Sequence, residues 1–280
     1  MSNVKRWLIT GVSGGFGRHL VEAALARGDH VVGTVRQPGQ VAEIEALAPG
    51  RAHAVLLDVT DRRRIPLAVA KAVERLGGLD ILVNNAGYGL SGAIEELQED
   101  EIDHVLETNL GGTIHVTRAA LPALRASAGR IVNISSLAGM VGFAGLASYC
   151  AAKFAVEGLS LALRQELAPF GVGVMLVEPG SFRTGFAAVS KRHARAPLAV
   201  YDGTPAGDSR DGLTGLAGRE RGDPAKAATA ILRAIDAEVP PMHLILGDDA
   251  LGLIRAHRAR VDEEIATWKE TTLGTALAEA

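Results

Sequence analysis

Short runs of β-branched and aliphatic residues alternate along this chain with longer segments whose apolar residues recur every three or four positions. Seven runs read as strands: 5–10, 30–35, 52–57, 79–83, 129–135, 172–178 and 243–247. Segments such as 15–28, 61–77, 98–126 and 147–169 read as helices with one buried stripe. Strand–helix alternation of this kind builds parallel sheets with crossover helices. The strands are nearly continuous apolar runs, as in Ile81, Leu82 and Val83, which is the pattern of strands covered on both faces. The expected fold is α/β, a doubly wound parallel sheet of about seven strands with helices on both faces, as one domain over 1–280. Such sheets bind ligands beyond the carboxyl ends of their strands.

Composition narrows the function classes. With 280 residues, 48% of them hydrophobic, the chain has material for a full core. A net charge of −3 without a basic block gives no footprint for nucleic acid. Arg62, Arg63 and Arg64 form a short cationic run at a helix start, where a solvated face suffices. Cys150 is the single cysteine, so no internal disulfide or cysteine cluster for zinc can form, and none of the eight histidines has ligand-type spacing to Glu or Cys. No metal is expected. The absence of an 18-residue apolar run argues against a membrane span, and Trp7, Leu8 and Ile9 are too short for a signal core, so a cytoplasmic location is expected. Residues 181–222 carry seven glycines and no clear period, which suggests a substrate lid; 249–280 reads as a helical tail with a frayed end.

The first strand runs into Gly11, Val12, Ser13, Gly14, Gly15, Phe16 and Gly17, followed by an Ala/Leu-rich helix. Glycines let backbone approach a pyrophosphate, whose charge meets the helix N-terminus. Tyr149 and Lys153 stand four apart in a helical segment, placing an ammonium beside a phenol. A nearby positive charge favours phenolate and would draw the phenol toward the working pH, making the pair a candidate acid/base. Ser136 ends the fifth predicted strand and can donate to an oxygen that gains charge.

Together, Gly-x-x-x-Gly-x-Gly at 11, 15 and 17, Asn84-Asn85-Ala86-Gly87, Ser136, Tyr149-x-x-x-Lys153 and Pro179-Gly180 resemble the short-chain dehydrogenase/reductase family over about 1–185. The resemblance implies a Rossmann fold and hydride exchange between a nicotinamide dinucleotide and a carbonyl or alcohol. It implies that Tyr149 is the proton donor or acceptor, that Lys153 also holds the nicotinamide ribose, and that spacing selects Ser136 over Ser135. By the same resemblance Asn109 kinks its helix and holds a water behind the lysine. Asp58 and Val59 edge the adenine, Asn85, Ala86 and Gly87 form the turn against the cofactor ribose, and Pro179, Gly180, Phe182 and Thr184 hold the carboxamide. The family further implies a homo-dimer or homo-tetramer. An alternative for Asp58 is a cap of the helix near Asp61.

Val35 stands where NAD-selective relatives carry Asp, and Arg36 follows it. A forked guanidinium there suits the 2′-phosphate, so NADP(H) is favoured over NAD(H). Asp29 precedes its strand, at the wrong end of the sheet to hold a ribose. Leu137, Met140, Val141, Phe143 and Phe182 lie near the strand ends and suggest an apolar pocket for a hydrophobic ketone or aldehyde, or its secondary alcohol. Two rivals remain at this stage: a non-catalytic dinucleotide-binding regulator, and a sugar-nucleotide epimerase or dehydratase. A triad hydrolase is disfavoured because no histidine is tied to Ser136 by pattern.

Overall fold

The computed structural model describes residues 4–186, 191–215 and 218–277. Its main sheet contains β1 (Arg6–Ile9), β2 (His30–Val35), β3 (Ala52–Leu56), β4 (Ile81–Asn84), β6 (Arg130–Ile134), β7 (Gly173–Pro179) and β9 (His243–Leu246). All pairs are parallel, in the order β3-β2-β1-β4-β6-β7-β9. The order reverses between β1 and β4, so the carboxyl ends of these two strands open the ligand crevice of a Rossmann-like domain. All seven strands expected from the sequence lie in this sheet.

Side chains alternate across the sheet, and each face buries its own core. Trp7, Ile9, Val31, Val83, Met175 and Val177 pack beneath α1 (Gly15–Ala26) and α8 (Pro224–Ile235). Leu8, Val32, Leu82, Ile131 and Val174 pack on the other face against α3 (Ile65–Leu76), α5 (Gly112–Ser127) and α6 (Ala147–Leu167). A short helix, α2 (Gly39–Glu45), links β2 to β3. Asn84 crosses this apolar interior by donating to Thr117 Oγ1 and Asn133 Oδ1, both at 2.8 Å, which ties β4, β6 and α5 together. Asp29 accepts the Trp7 indole N–H at 2.9 Å at the amino end of the sheet, as expected for a residue remote from the crevice.

Two expectations change. The segment 98–126 is not one helix: α4 (Glu99–Leu106) runs into a π-helical turn, Glu107–Gly111, before α5. Residues 181–222 are not a plain loop, because the described part holds β8 (Lys191–His193), a 3-10 turn Ala199–Tyr201 and α7 (Pro205–Gly215). β8 pairs in parallel with β5 (Gly89–Ser91), a long-range partner that local periodicity does not report. Residues 187–190 and 216–217 of the expected lid, and 278–280 of the tail, lie outside the described residues. The tail forms α9 (Asp248–Thr267) and α10 (Lys269–Leu273), with only Ala250 and Ile254 buried on α9. No helix among the described residues is long and apolar enough to cross a membrane.

Candidate active site

The glycine loop leaves β1 through Thr10, a residue the sequence reading passed over. Its hydroxyl accepts the amides of Asn85 and Ala86 at 2.9 and 3.0 Å. Asn85 Nδ2 in turn donates to the carbonyls of Thr10 and Gly11, both at 2.9 Å. Asn85 therefore holds the loop shut from behind, a structural task distinct from the ribose contact expected of it. Gly17 is fixed by this closure: a Cβ there would overlap the Gly11 carbonyl oxygen and Asn85 Nδ2. Ser13 and Gly14 lie exposed at the mouth, and the N-terminus of α1 opens beside them. An open loop before a helix N-terminus fits a pyrophosphate. Residues 11–15 also spell Gly-x-Ser-x-Gly, but here they form the loop that Thr10 and Asn85 close ahead of α1.

The two ends of the expected cofactor groove are both present. Arg36 is exposed just past β2 and faces Asp58 electrostatically. Burial alone would raise the Asp58 carboxyl, but the amide and hydroxyl of Thr60, at 2.9 and 2.8 Å, together with Arg36 and His104, hold it below the usual carboxylate range. Asp58 does not cap α3, because Asp61 accepts the amides of Arg63 and Arg64 instead. Val59 is buried against Gly112. At the other end, Pro179 closes β7 beside Leu246, and Gly180 donates to the Leu246 carbonyl at 2.9 Å. Thr184 stands over Gly15, and the Phe16 and Phe182 rings are 5.3 Å apart. Phe182 therefore packs beside the glycine loop and not in the apolar cluster around Tyr149.

Tyr149, Lys153 and Ser136 converge below this groove. Tyr149 and Lys153 are buried on one face of α6, with Lys153 Nζ 5.8 Å from the phenol ring centre. Nζ donates to the Ile134 carbonyl at 2.8 Å, which anchors the ammonium to the end of β6. Ser136 caps the short turn after β6 by accepting the Ala138 amide at 3.1 Å, and its hydroxyl lies on the Tyr149 side, where it favours the phenolate. Ser135 is turned away and donates to Glu157, so only Ser136 can serve the phenol. The expectation that lysine draws the phenol toward neutrality does not hold here. Burial pushes Tyr149 up to about 12, partly offset by Ser136, and the same burial pushes Lys153 down to about 8 despite Glu157.

Asn109 sits inside the π-helical turn, where its Nδ2 donates to the carbonyls of Tyr88 and Val105 at 3.0 and 2.9 Å. Its Oδ1 is buried without a protein partner, and Gly87 lies between it and Lys153. A Cβ on Gly87 would lie 2.5 Å from Asn109 Oδ1 and 3.6 Å from Lys153 Nζ, so glycine keeps this space open. The apolar walls also differ from expectation. Tyr88, Leu90, Leu146 and Phe186 surround Tyr149, joined by Phe143. Leu137, Met140 and Val141 pack instead on Ala250 and Ile254 of α9. These walls come from four separated chain segments, which is why sequence position alone misassigned them.

A profile of the family described as short chain dehydrogenase matches residues 5–195. Oxidoreductase BOA17 of Botryotinia fuckeliana is 36% identical over 274 residues, covering 97% of this chain and 99% of its own. A crystal structure of a short-chain dehydrogenase from Streptomyces avermitilis is 42% identical with a TM-score of 0.91, covering 99% of this chain and 100% of that one. A Burkholderia cenocepacia short chain dehydrogenase solved with NADP is 25% identical, with a TM-score of 0.74 over 95% of this chain and 97% of that one. A Burkholderia phymatum relative in fold, solved with NAD, is 24% identical with a TM-score of 0.82 over 94% and 95% of the two chains. Sheet order, closed glycine loop and full-length similarity agree: this chain belongs to the short-chain dehydrogenase family of oxidoreductases.

Proposed function

We propose that this oxidoreductase exchanges hydride between NADP(H) and the carbonyl or secondary alcohol of a hydrophobic substrate, with Tyr149 moving the proton. The observation that carries this reading is the convergence of a buried phenol, the Ser136 hydroxyl and the Lys153 ammonium inside an apolar cluster at the end of β6. Bound nicotinamide supplies or accepts the hydride. In reduction, Tyr149 gives its phenolic proton to the substrate oxygen, and Ser136 donates a hydrogen bond to the same oxygen as charge grows there. Such donors contribute about 3 kcal/mol elsewhere. Lys153 stabilises the phenolate left behind, and the unpartnered Asn109 Oδ1 is placed to hold a water that returns a proton toward Lys153.

Groove electrostatics support NADP(H). Arg36 is exposed, carries a forked guanidinium and stands at the end of β2, where a 2′-phosphate would offer it two charge-assisted hydrogen bonds. The β8–α7 segment is read as the substrate lid, because Glu96 ties it to the pocket floor by accepting the Leu198 amide at 2.9 Å and Arg210 Nη1 at 3.1 Å. Exposed Phe154 and Leu161 on α6 support self-association as a dimer or tetramer. The test is a panel of apolar ketones, aldehydes and secondary alcohols assayed in parallel with NADPH, NADH and their oxidised forms. Turnover of ketones with NADPH well above NADH supports the reading; NADH preference or inertness across the panel contradicts it.

A further inference from the structure

Three titratable groups meet below the site without a place in the scheme above. Glu157 lies one turn beyond Lys153 on α6, just as Lys153 lies one turn beyond Tyr149, and all three are buried. Glu178 on β7 is 0% exposed, and His243 opens β9 beside it. His243 Nδ1 is 2.6 Å from Glu178 Oε1 and 3.7 Å from Glu157 Oε2. The second oxygens of both glutamates are buried without a hydrogen-bond partner. Residues 157, 178 and 243 share no local spacing, so the sequence shows none of this.

A metal ion is a poor occupant. Two ligands held at about 2.1 Å by one ion stand about 3 Å apart or more, whereas 2.6 Å is the separation of a charge-assisted hydrogen bond. His243 and Glu178 therefore stand at the spacing of a hydrogen bond. Two carboxylates buried side by side also repel, and both are pushed up to about 7 by burial, so the cluster holds protons near neutrality. His243 is half-buried and gives those protons a way to solvent.

Glu157 and Lys153 each hold the strand end that precedes Ser136. Ser135 donates to Glu157 Oε1, and Lys153 donates to the carbonyl of the preceding residue, Ile134. Ser136 follows directly. The groups facing Glu157 are Lys153 on its own helix, Ser135 at the end of β6, Glu178 on β7 and His243 on β9; Arg258 on α9 acts on Glu178 through charge.

We propose that Glu157 is a positioning residue that, with Glu178 and His243, forms a proton-sharing cluster whose charge keeps Lys153 cationic and whose bond to Ser135 fixes the strand end bearing Ser136. The inference deepens the proposed function and rests on its reading of Lys153 and Ser136. When Glu157 is ionised, its charge offsets the burial that strips the proton from Lys153. When the cluster takes up a proton, that support is withdrawn. Activity is thereby tied to the protonation of a group that never meets substrate.

The test reads Lys153 directly and needs no substrate. The chain has six lysines, so in protein labelled with 13C-lysine the Cε resonance that disappears in Lys153→Arg belongs to Lys153. Followed over pH, the native resonance is expected to show a small inflection near 7 as Glu157 ionises and its main step near 8. In Glu157→Gln the small inflection vanishes and the main step falls by about one pH unit, while Glu157→Asp retains both. An unchanged main step in Glu157→Gln, or a native trace with one inflection, overturns the proposal. Should Glu157→Gln fail to fold, His243→Gln at the half-buried sheet edge serves: loss of the side chain that holds the Glu157 carboxyl down moves the lower inflection upward, and an unmoved inflection overturns the proposal. An inert Tyr149 would leave these titrations intact. Absent coupling would leave hydride transfer standing.

Discussion

The two sides of the crevice are built by opposite means. The dinucleotide side is backbone closed by hydrogen bonds between two adjacent strand ends: a glycine turn with Thr10, and the Asn85 turn 75 positions further along the chain. The substrate side is assembled from side chains of remote segments. Ser91 bonds His193 across 102 positions at 2.9 Å, Glu96 reaches Leu198 and Arg210, and Asp249 on α9 accepts the Ser181 amide at 2.7 Å. The first arrangement tolerates little change but serves any substrate. The second can be rebuilt without touching the cofactor, which is how one fold carries many specificities.

If this division holds, substitutions should separate cleanly. After the tyrosine itself, the largest effect belongs to the chemistry between the two sides: Ser136→Ala is expected to lower kcat by roughly 100- to 1000-fold with cofactor affinity nearly unchanged, measured by steady-state kinetics and NADPH fluorescence titration. On the dinucleotide side, Gly17→Ala places a methyl against backbone that cannot withdraw. It should destabilise the fold by about 2 kcal/mol and weaken NADPH binding, read by denaturant melts and the same titration. The double change Val35→Asp with Arg36→Ser should move the NADPH-to-NADH ratio of kcat/KM by roughly 10- to 100-fold toward NADH, because it removes charge-assisted bonds and adds a ribose acceptor. An unchanged ratio would place the phosphate elsewhere. The smallest effect is expected from Glu96→Gln, which loosens the lid tether. Substrate KM should rise by on the order of threefold while NADPH affinity stays fixed. Loss of cofactor affinity in that variant would join the two sides and break the comparison.

The same contrast explains what the sequence discloses. Strands buried on both faces announce themselves as apolar runs, so all seven of the main sheet are legible, with ends displaced by one or two residues. Helical spacing puts Tyr149 and Lys153 on one face and Ser136 at a strand end, but only the resemblance to the family singles them out and selects Ser136 over Ser135. The pairing of β5 with β8 is not, since each has three residues and the partner lies about a hundred positions away. The packing of Phe182 on Phe16 is not legible either, since the two rings come from distant parts of the chain. The acidity of Tyr149 departs from expectation for a related reason: the ammonium one turn away is visible in the sequence, but the burial that raises the phenol is not. Glu157, Glu178 and His243 carry no shared spacing at all.

The most direct measurement is NADPH-dependent reduction by Tyr149→Phe, with cofactor affinity measured on the same preparation. The phenol packs against Phe186 and within an apolar cluster, so its loss leaves the ring contacts in place. The account predicts a fall in turnover of about 1000-fold or more with NADPH affinity within a factor of two. Turnover within tenfold of the native chain would contradict it.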